Sequence, residues 1–173
     1  MRFLITTLFS LLVISCAPIH VNYDFDKTTE FTNYKTYNYY SDMNTGLSEL
    51  DTKRFLDVLD EKMIAKGFSL SDTPDFFVDI ESTEYQEAQR QTVGVGLGGG
   101  GGNMGGGISI GLPIGQTNVN RQIIIDFVDD SKKQLFWQAV SAYSFKPNMK
   151  PEQREEKFIA ITEKVLSKYP TTW

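Results

Sequence analysis

Hydrophobic and polar residues alternate along several stretches of this chain, which is the pattern of half-buried β-strands. The predicted strands cover residues 21–26, 34–40, 76–85, 120–129 and 135–145, of which 34–40 is predicted from its richness in Tyr and Thr. Within the fourth, Ile123, Ile125 and Phe127 are expected to share the buried face. Within the fifth, the same spacing places Leu135, Trp137 and Ala139 together. Residues 129–133 are polar and predict a hairpin between these last two strands.

A period of three to four residues replaces the alternation in residues 48–66 and predicts a helix. Its apolar stripe is expected to comprise Phe55, Leu56, Leu59, Met63 and Ile64. Ser48 is a suitable N-cap, and Gly67 is the expected residue just beyond the C-terminus, where a positive φ is easiest without a Cβ.

A second helix is predicted to begin at Pro151, which fits the first helical position, and to end before Pro170. Phe158, Ile161 and Val165 form its inner stripe. The order of elements predicts an α+β domain, with an antiparallel sheet of about five strands and two helices packed on one face.

Glycine is concentrated in residues 94–115, which hold twelve of the fourteen glycines. We interpret this stretch as a Gly-rich loop joining two strands of one sheet, because the flanking strands have matching patterns. Gly94, Gly96 and Gly99 satisfy G-x-G-x-x-G, but no helix pattern follows them, so a nucleotide site is not predicted. Ile108 and Ile110 are among the apolar residues that a partner or a membrane could contact.

Residues 1–16 differ from the rest of the chain. Arg2 precedes an apolar run over residues 3–14, which is shorter than the roughly 20 residues of a spanning helix. The run ends in Val13-Ile14-Ser15-Cys16, and the whole stretch resembles the signal peptide and lipobox of bacterial lipoproteins. The resemblance implies cleavage after residue 15, a diacylglycerol on the Cys16 thiol, and usually an acyl group on its new amino terminus. Residues 16–173 would then be one lipid-anchored domain.

Cysteine and charge usage agree with this interpretation. Cys16 is the only cysteine, and lipidation would consume its thiol. Loss of Arg2 changes the net charge from −5 to −6. The basic residues are scattered along the sequence, which argues against a nucleic-acid surface and against electrostatic docking to anionic lipid. Ala17, by analogy with sorting in Gram-negative envelopes, predicts the outer membrane facing the periplasm.

The chain after Cys16 also resembles a family of bacterial lipoproteins known as domain of unknown function 4136. The similar segments are Tyr23-Asp24, Phe31-Thr32-Asn33-Tyr34-Lys35-Thr36-Tyr37, Ala65-Lys66-Gly67-Phe68, Ile124-Ile125-Asp126-Phe127-Val128-Asp129, Leu135-Phe136-Trp137-Gln138-Ala139 and Lys168-Tyr169-Pro170. The resemblance covers nearly the whole chain after Cys16. It implies a lipid-anchored envelope domain and supplies no catalytic residues.

Candidate chemical sites are few. His20 is the sole histidine and lies beside the predicted anchor, so neither a metal site nor histidine-assisted catalysis is expected. Two carboxylate pairs, Asp79 with Glu81 and Asp24 with Asp26, are interpreted as solvated strand faces. The Asp129-Asp130 pair lacks the spaced oxygen ligands of a calcium site.

Aromatic residues are interpreted as structural rather than as a ligand platform. Tyr34, Tyr37, Tyr39 and Tyr40 are expected to pair across the sheet. Trp137 is expected in the core, and Trp173 has no assignment.

The sequence thus predicts a non-enzymatic binding or structural module without a cofactor. It is anchored through Cys16 and has a possible envelope protein partner. The alternatives are a membrane-active assembly protein that uses the Gly-rich loop and a hydrolase that uses carboxylates such as Asp79 and Glu81. Oligomeric state, ligand and partner are not specified by the sequence.

Overall fold

The computed structural model describes residues 18–86 and 119–169. In chain order the elements are β1 (His20–Phe25), a 3-10 turn (Phe31–Asn33), β2 (Thr36–Tyr39), α1 (Glu49–Ala65), β3 (Ser69–Leu70), β4 (Phe76–Gln86), β5 (Val119–Asp129), β6 (Gln134–Phe145) and α2 (Pro151–Leu166). The predicted α+β class is confirmed. Residues 1–16, the Gly-rich stretch and Trp173 lie outside the described residues.

Among the described residues, the sheet has six strands in the order β1-β6-β5-β4-β2-β3, and it is mixed. β1, β6, β5 and β4 pair antiparallel, whereas β2 runs parallel to both β3 and β4. The prediction of about five antiparallel strands is therefore wrong in strand number and in direction. Helix α1 is the reason: it carries the chain from the end of β2 back along the sheet, so the strands after it start at the same end as β2.

The strands on either side of the Gly-rich stretch, β4 and β5, were expected to belong to one sheet. β4 and β5 are hydrogen-bonded neighbours over their whole lengths, from the Phe76–Asp129 pair to the Gln86–Val119 pair. The residues between them thus join two adjacent strands of one sheet, as predicted.

A β-bulge interrupts the pairing of β5 with β6. Phe127 lies opposite Trp137 and Val128 lies opposite Leu135, which leaves Phe136 as the extra residue. Phe136 and Trp137 are both buried, and Leu135 is 44% exposed. The prediction that Leu135 shares a face with Trp137 and Ala139 is wrong, because an extra residue reverses the alternation on one side of the bulge.

One face of the sheet and the inner sides of both helices form a single hydrophobic core. The fully buried members include Tyr37, Phe55, Leu59, Met63, Phe76, Ile80, Ile123, Ile125, Phe127, Trp137, Ile161 and Leu166. The predicted packing of two helices on one face is thus confirmed.

The helix ends are also as predicted. Ser48 Oγ accepts a hydrogen bond from the Asp51 amide at 3.3 Å, and Gly67 has a φ of +94°. Ile64, however, is 58% exposed and does not join the core stripe. It lies nine residues after Phe55, which is two and a half turns, so it occupies the opposite side of α1.

The two helices run parallel to each other. Asp51 of α1 contacts Arg154 of α2 at 2.5 Å, the Phe55 and Phe158 rings lie 5.2 Å apart, and Lys62 contacts Glu163 at 2.9 Å. Both helices therefore end at the same end of the sheet. Within the described ranges, neither is long and apolar enough to cross a membrane.

Candidate binding groove

An open groove lies between α1 and the end of β2. We call it the α1–β2 groove, and its volume is about 780 Å³. Its lining comprises Asn38, Tyr39, Met43, Asn44, Thr45, Leu47, Glu49, Thr52, Lys53, Leu56, Asp57, Asp60 and Leu70. Apolar side chains from the helix, the loop after β2 and strand β3 thus meet polar groups from the first three turns of α1.

A pair of phenols and one carboxylate form the polar centre of this region. Tyr37 donates a hydrogen bond to Asp60 Oδ1 at 2.7 Å, and Tyr39 donates to the same oxygen at 2.6 Å. The two rings meet edge to face at 5.9 Å. Strand β2 brings both tyrosines to α1 because they are two residues apart and therefore point to the same side of the sheet.

Burial and the adjacent Asp60 carboxylate both raise the pKa of the Tyr37 and Tyr39 hydroxyls. Burial disfavours the charged phenolate, and a neighbouring negative charge disfavours it further. Both hydroxyls are therefore protonated donors at neutral pH, which suits them to hold Asp60 in place and not to abstract protons.

The loop after β2 forms the far wall of the groove and is fixed against β4. The Ser82 amide donates to the Thr45 carbonyl at 2.7 Å, and the Thr45 and Thr52 hydroxyls bond to each other at 2.6 Å. Gly46 has a φ of +67°, and a Cβ there would lie 2.3 Å from the Ser82 carbonyl oxygen. Only glycine allows the loop to pass this close to β4.

Acidic groups outnumber basic groups in the groove. Glu49, Asp57 and Asp60 contribute carboxylates, whereas Lys53 is the single lining residue with a cationic side chain. Lys53 pairs with Asp57 at 2.9 Å. The groove therefore favours a ligand that carries positive charge together with apolar groups.

The carboxylates considered for hydrolysis lie elsewhere, on the sheet face away from the helices. Asp79 and Glu81 are exposed and line a second depression of about 480 Å³ with Tyr40, Asp42 and Ser82.

Asp126 lies opposite Asp79 on β5. Its pKa is raised by burial and by the charges of Asp79 and Glu81, against a hydrogen bond from Gln138 at 2.8 Å that lowers it. The arrangement is an acidic, partly exposed sheet surface.

The remaining acidic candidates have structural roles. Asp129 accepts hydrogen bonds from Tyr34, Ser131 and the Lys132 amide, and these outweigh burial to lower its pKa to about 2. Asp26 accepts from the amide and hydroxyl of Thr28, which lowers its pKa. Both carboxylates fix turns.

His20 is exposed at the start of β1. Among residues 18–86 and 119–169, no group of three or more His, Cys, Asp or Glu side chains could hold a metal ion.

The four tyrosines prove to be mainly structural, as predicted, although Tyr39 also lines the groove. Tyr34 stacks on Phe136 at 4.0 Å, and Tyr40 stacks on Phe77 at 4.7 Å. Trp137 is fully buried, as predicted. Asp60 was not predicted from the sequence. The one indication of its role is its position four residues after Leu56, which places an acidic side chain at the edge of the apolar stripe of α1.

Comparison with solved structures supports the fold. A PDZ domain protein from Parabacteroides distasonis is similar with a TM-score of 0.58 and 12% identity, over 98% of this chain and 40% of that chain. This chain thus spans about 40% of the length of that protein. PelC from Paraburkholderia phytofirmans, solved as a dodecamer, is similar with a TM-score of 0.50 and 8% identity, over 87% of this chain and 96% of that chain.

Sequence comparison adds the family. No curated protein matches this chain. The family described as "Domain of unknown function (DUF4136)" matches residues 21–171, which include every helix and strand described above apart from His20, the first residue of β1. The chain belongs to this family of unknown function.

Proposed function

We propose that this protein is a lipid-anchored envelope lipoprotein whose folded domain is a non-enzymatic binding module. The anchor rests on residues 1–16, with Cys16 as the lipidated residue and the outer membrane, facing the periplasm, as its location. Two or three acyl chains on one cysteine would make attachment stable, whereas a single chain gives only marginal membrane binding.

The anchor predicts that Cys16→Ala abolishes palmitate labelling and leaves the precursor uncleaved. The measurement is metabolic labelling with radioactive palmitate, followed by electrophoresis of the immunoprecipitated protein. Ser15→Ala is the matched control, because a small residue is kept before the cysteine, and its labelling should be unchanged. Labelled and processed Cys16→Ala protein would contradict the lipobox assignment.

For the binding module we propose the α1–β2 groove as the contact surface and an extended, basic segment of an envelope protein as its occupant. The observation that carries this proposal is the groove itself, where Leu56, Met43 and Leu70 line the same cavity as a carboxylate held by two phenols. The acidic excess complements lysine or arginine, and an extended segment can lie beside the short edge strand β3.

Crosslinking from two leucines of similar exposure tests this assignment. Leu70 lines the groove and is 50% exposed, whereas Leu135 is 44% exposed and lies outside the groove. A photo-reactive amino acid at position 70 of the full lipidated chain should capture an envelope protein, and the same residue at position 135 should not. Mass spectrometry should find the crosslink in a segment containing lysine or arginine.

Asp60→Asn, which keeps the shape and removes the charge, should weaken capture at position 70 about tenfold, the scale of one charge-assisted hydrogen bond. Equal capture from positions 70 and 135, or undiminished capture by Asp60→Asn, would overturn the groove assignment. It would leave the anchor untouched.

The two alternative functions predict different experimental results. A carboxylate-dependent hydrolase would use Asp79 and Glu81, which line the second depression. An envelope defect in the Glu81→Gln variant, together with normal crosslinking from position 70, would favour this alternative. A membrane-active assembly protein would lose its oligomer or envelope phenotype when residues 98–107 are deleted. The binding module is preferred because the groove offers a fixed carboxylate, apolar side chains and an acidic excess in one concave site.

A further inference from the structure

Three lysines that are separated in the sequence lie along one side of α2 and of the turn that follows it, and we call them the lysine flank: Lys157, Lys164 and Lys168. A spacing of seven residues places Lys157 and Lys164 on the same side of α2, and Lys168 lies two residues beyond its last residue, Leu166. Lys164 Nζ donates to the Ile19 carbonyl, and Lys168 Nζ lies 5.7 Å from the centre of the Tyr23 ring. The flank therefore borders β1, the strand nearest the predicted anchor.

Glu163, the neighbour of Lys164 in the sequence, does not share this flank. Glu163 lies on the α1 side, where it pairs with Lys62 at 2.9 Å. Lys164 and Lys168 are exposed, and Tyr23 of β1 is 43% exposed. An ammonium group has three donors, so Lys164 can contact a further oxygen while it bonds to Ile19.

Chain length brings this flank close to the anchor. Three residue steps separate Cys16 from Ile19, and a fully extended chain covers at most about 11 Å over that span. The Lys164 ammonium touches the Ile19 carbonyl, and electrostatic interactions extend about 8 Å at physiological salt. A lipid on Cys16 therefore keeps Ile19, and with it the Lys164 ammonium, within about 11 Å of the anchored residue, a distance comparable to the electrostatic screening length.

We infer that the lysine flank and Tyr23 are the surface that docks on the anionic phospholipid headgroups of the anchoring membrane. This inference rests on the proposed lipid anchor and adds the orientation of the domain. With a net charge of −6 without Arg2, the domain is repelled by an anionic leaflet unless a basic side faces it. Tyrosine is suited to the interface between headgroups and acyl chains. Scattered in the sequence, the lysines are brought together by the fold.

The test measures how near each side of the domain lies to the lipid. Lipidation blocks the Cys16 thiol, so one introduced cysteine can carry a fluorophore. Ser167→Cys places it beside the lysine flank, and Ser69→Cys places it on β3, at the opposite sheet edge about 24 Å away. The full lipidated protein is reconstituted into vesicles with nitroxide-labelled headgroups, made of phosphatidylcholine alone or with one third phosphatidylglycerol.

We expect quenching at position 167 to rise at least about twofold when phosphatidylglycerol is present, and to fall again in high salt. Quenching at position 69 should not change. Lys164→Gln combined with Lys168→Gln should abolish the rise, whereas the matched pair Lys132→Gln with Lys133→Gln, on exposed lysines of the β5–β6 hairpin, should keep it.

Vesicle flotation tests the lipid anchor separately from the orientation of the domain. Protein that floats but shows equal quenching in both vesicles, or a rise that survives the Lys164/Lys168 change, overturns the orientation and leaves the anchor standing. Protein that does not float, and carries no palmitate, overturns the anchor and the orientation with it.

Discussion

Asp129 shows how a single side chain fixes the end of the β5–β6 hairpin. Tyr34 donates to its Oδ2 at 2.6 Å, and Ser131 and the Lys132 amide donate to Oδ1 at 2.7 Å each. These bonds stabilise the ionised form and outweigh burial, so the pKa falls from 3.8 to about 2. Because Tyr34 lies 95 residues away in the chain, the bond also ties the segment before β2 to the hairpin.

We expect Tyr34→Phe to lower the free energy of unfolding by about 1.5–2 kcal/mol at pH 7, the usual contribution of a hydrogen bond to a charged group. The phenylalanine keeps the stacking on Phe136. Since the folded-state pKa of Asp129 is depressed, its contribution is present above about pH 4 and is lost as the pH falls towards 2. Urea unfolding at several pH values should therefore show the difference from wild type shrinking below pH 4.

Tyr40→Phe is the matched control for this measurement. Tyr40 also stacks on a phenylalanine, Phe77, but its hydroxyl has no hydrogen-bond partner among the described residues. Its removal should change stability by less than about 0.5 kcal/mol at any pH. A pH-independent loss in Tyr34→Phe would mean that the Asp129 carboxylate is not the group being stabilised.

At the level of elements, local patterns were sufficient where the determining contacts are local. Alternation located the four longer strands β1, β4, β5 and β6, richness in Tyr and Thr located β2, and the caps at Ser48 and Gly67 marked both ends of α1. The missed features depend on partners far along the chain. Two-residue β3 is too short for a period, and the parallel direction of β2 follows from how α1 returns the chain to the sheet.

Errors at single residues also arose where the structure depends on partners that are distant in the sequence. The Phe136 bulge is invisible in a run of apolar residues, because Leu135, Phe136 and Trp137 are all compatible with burial. The groove was missed since its key residues, Tyr37, Tyr39 and Asp60, come from two elements more than twenty residues apart. The lysine flank was missed for a related reason, because periodicity along α2 carries no information about which strand lies beside it.

At the scale of the whole molecule, ion pairs join the N-terminal parts of the two helices. Asp51, only 3% exposed, accepts from Arg54 in its own helix at 2.9 Å and from Arg154 in α2 at 2.5 Å. Arg154 also donates to the carbonyls of Met149 and Pro147, which anchors the loop before α2. This network fixes the parallel alignment of the helices, which in turn places the lysine flank against β1 and leaves the groove open on the other side of α1.

We expect Asp51→Ala to cost about 2–4 kcal/mol of unfolding free energy, because a buried carboxylate is removed from two arginines that cannot lose their charge. The measurement is urea unfolding of the full chain, followed by tryptophan fluorescence. Asp57→Ala is the control: this exposed carboxylate in the same helix pairs with Lys53, and its loss should cost under about 1 kcal/mol.

The double variant Asp51→Leu/Arg154→Met shows whether Asp51→Ala is destabilised by an unpaired charge or by a simple loss of packing. It removes one arginine together with the carboxylate and fills the space with apolar groups, so it should recover at least half of the stability lost in Asp51→Ala. If Asp51→Ala costs no more than Asp57→Ala, the network does not align the helices. In that case the contact of Phe55 with Phe158 would be sufficient to hold them in register, and the position of the lysine flank would depend on hydrophobic packing alone.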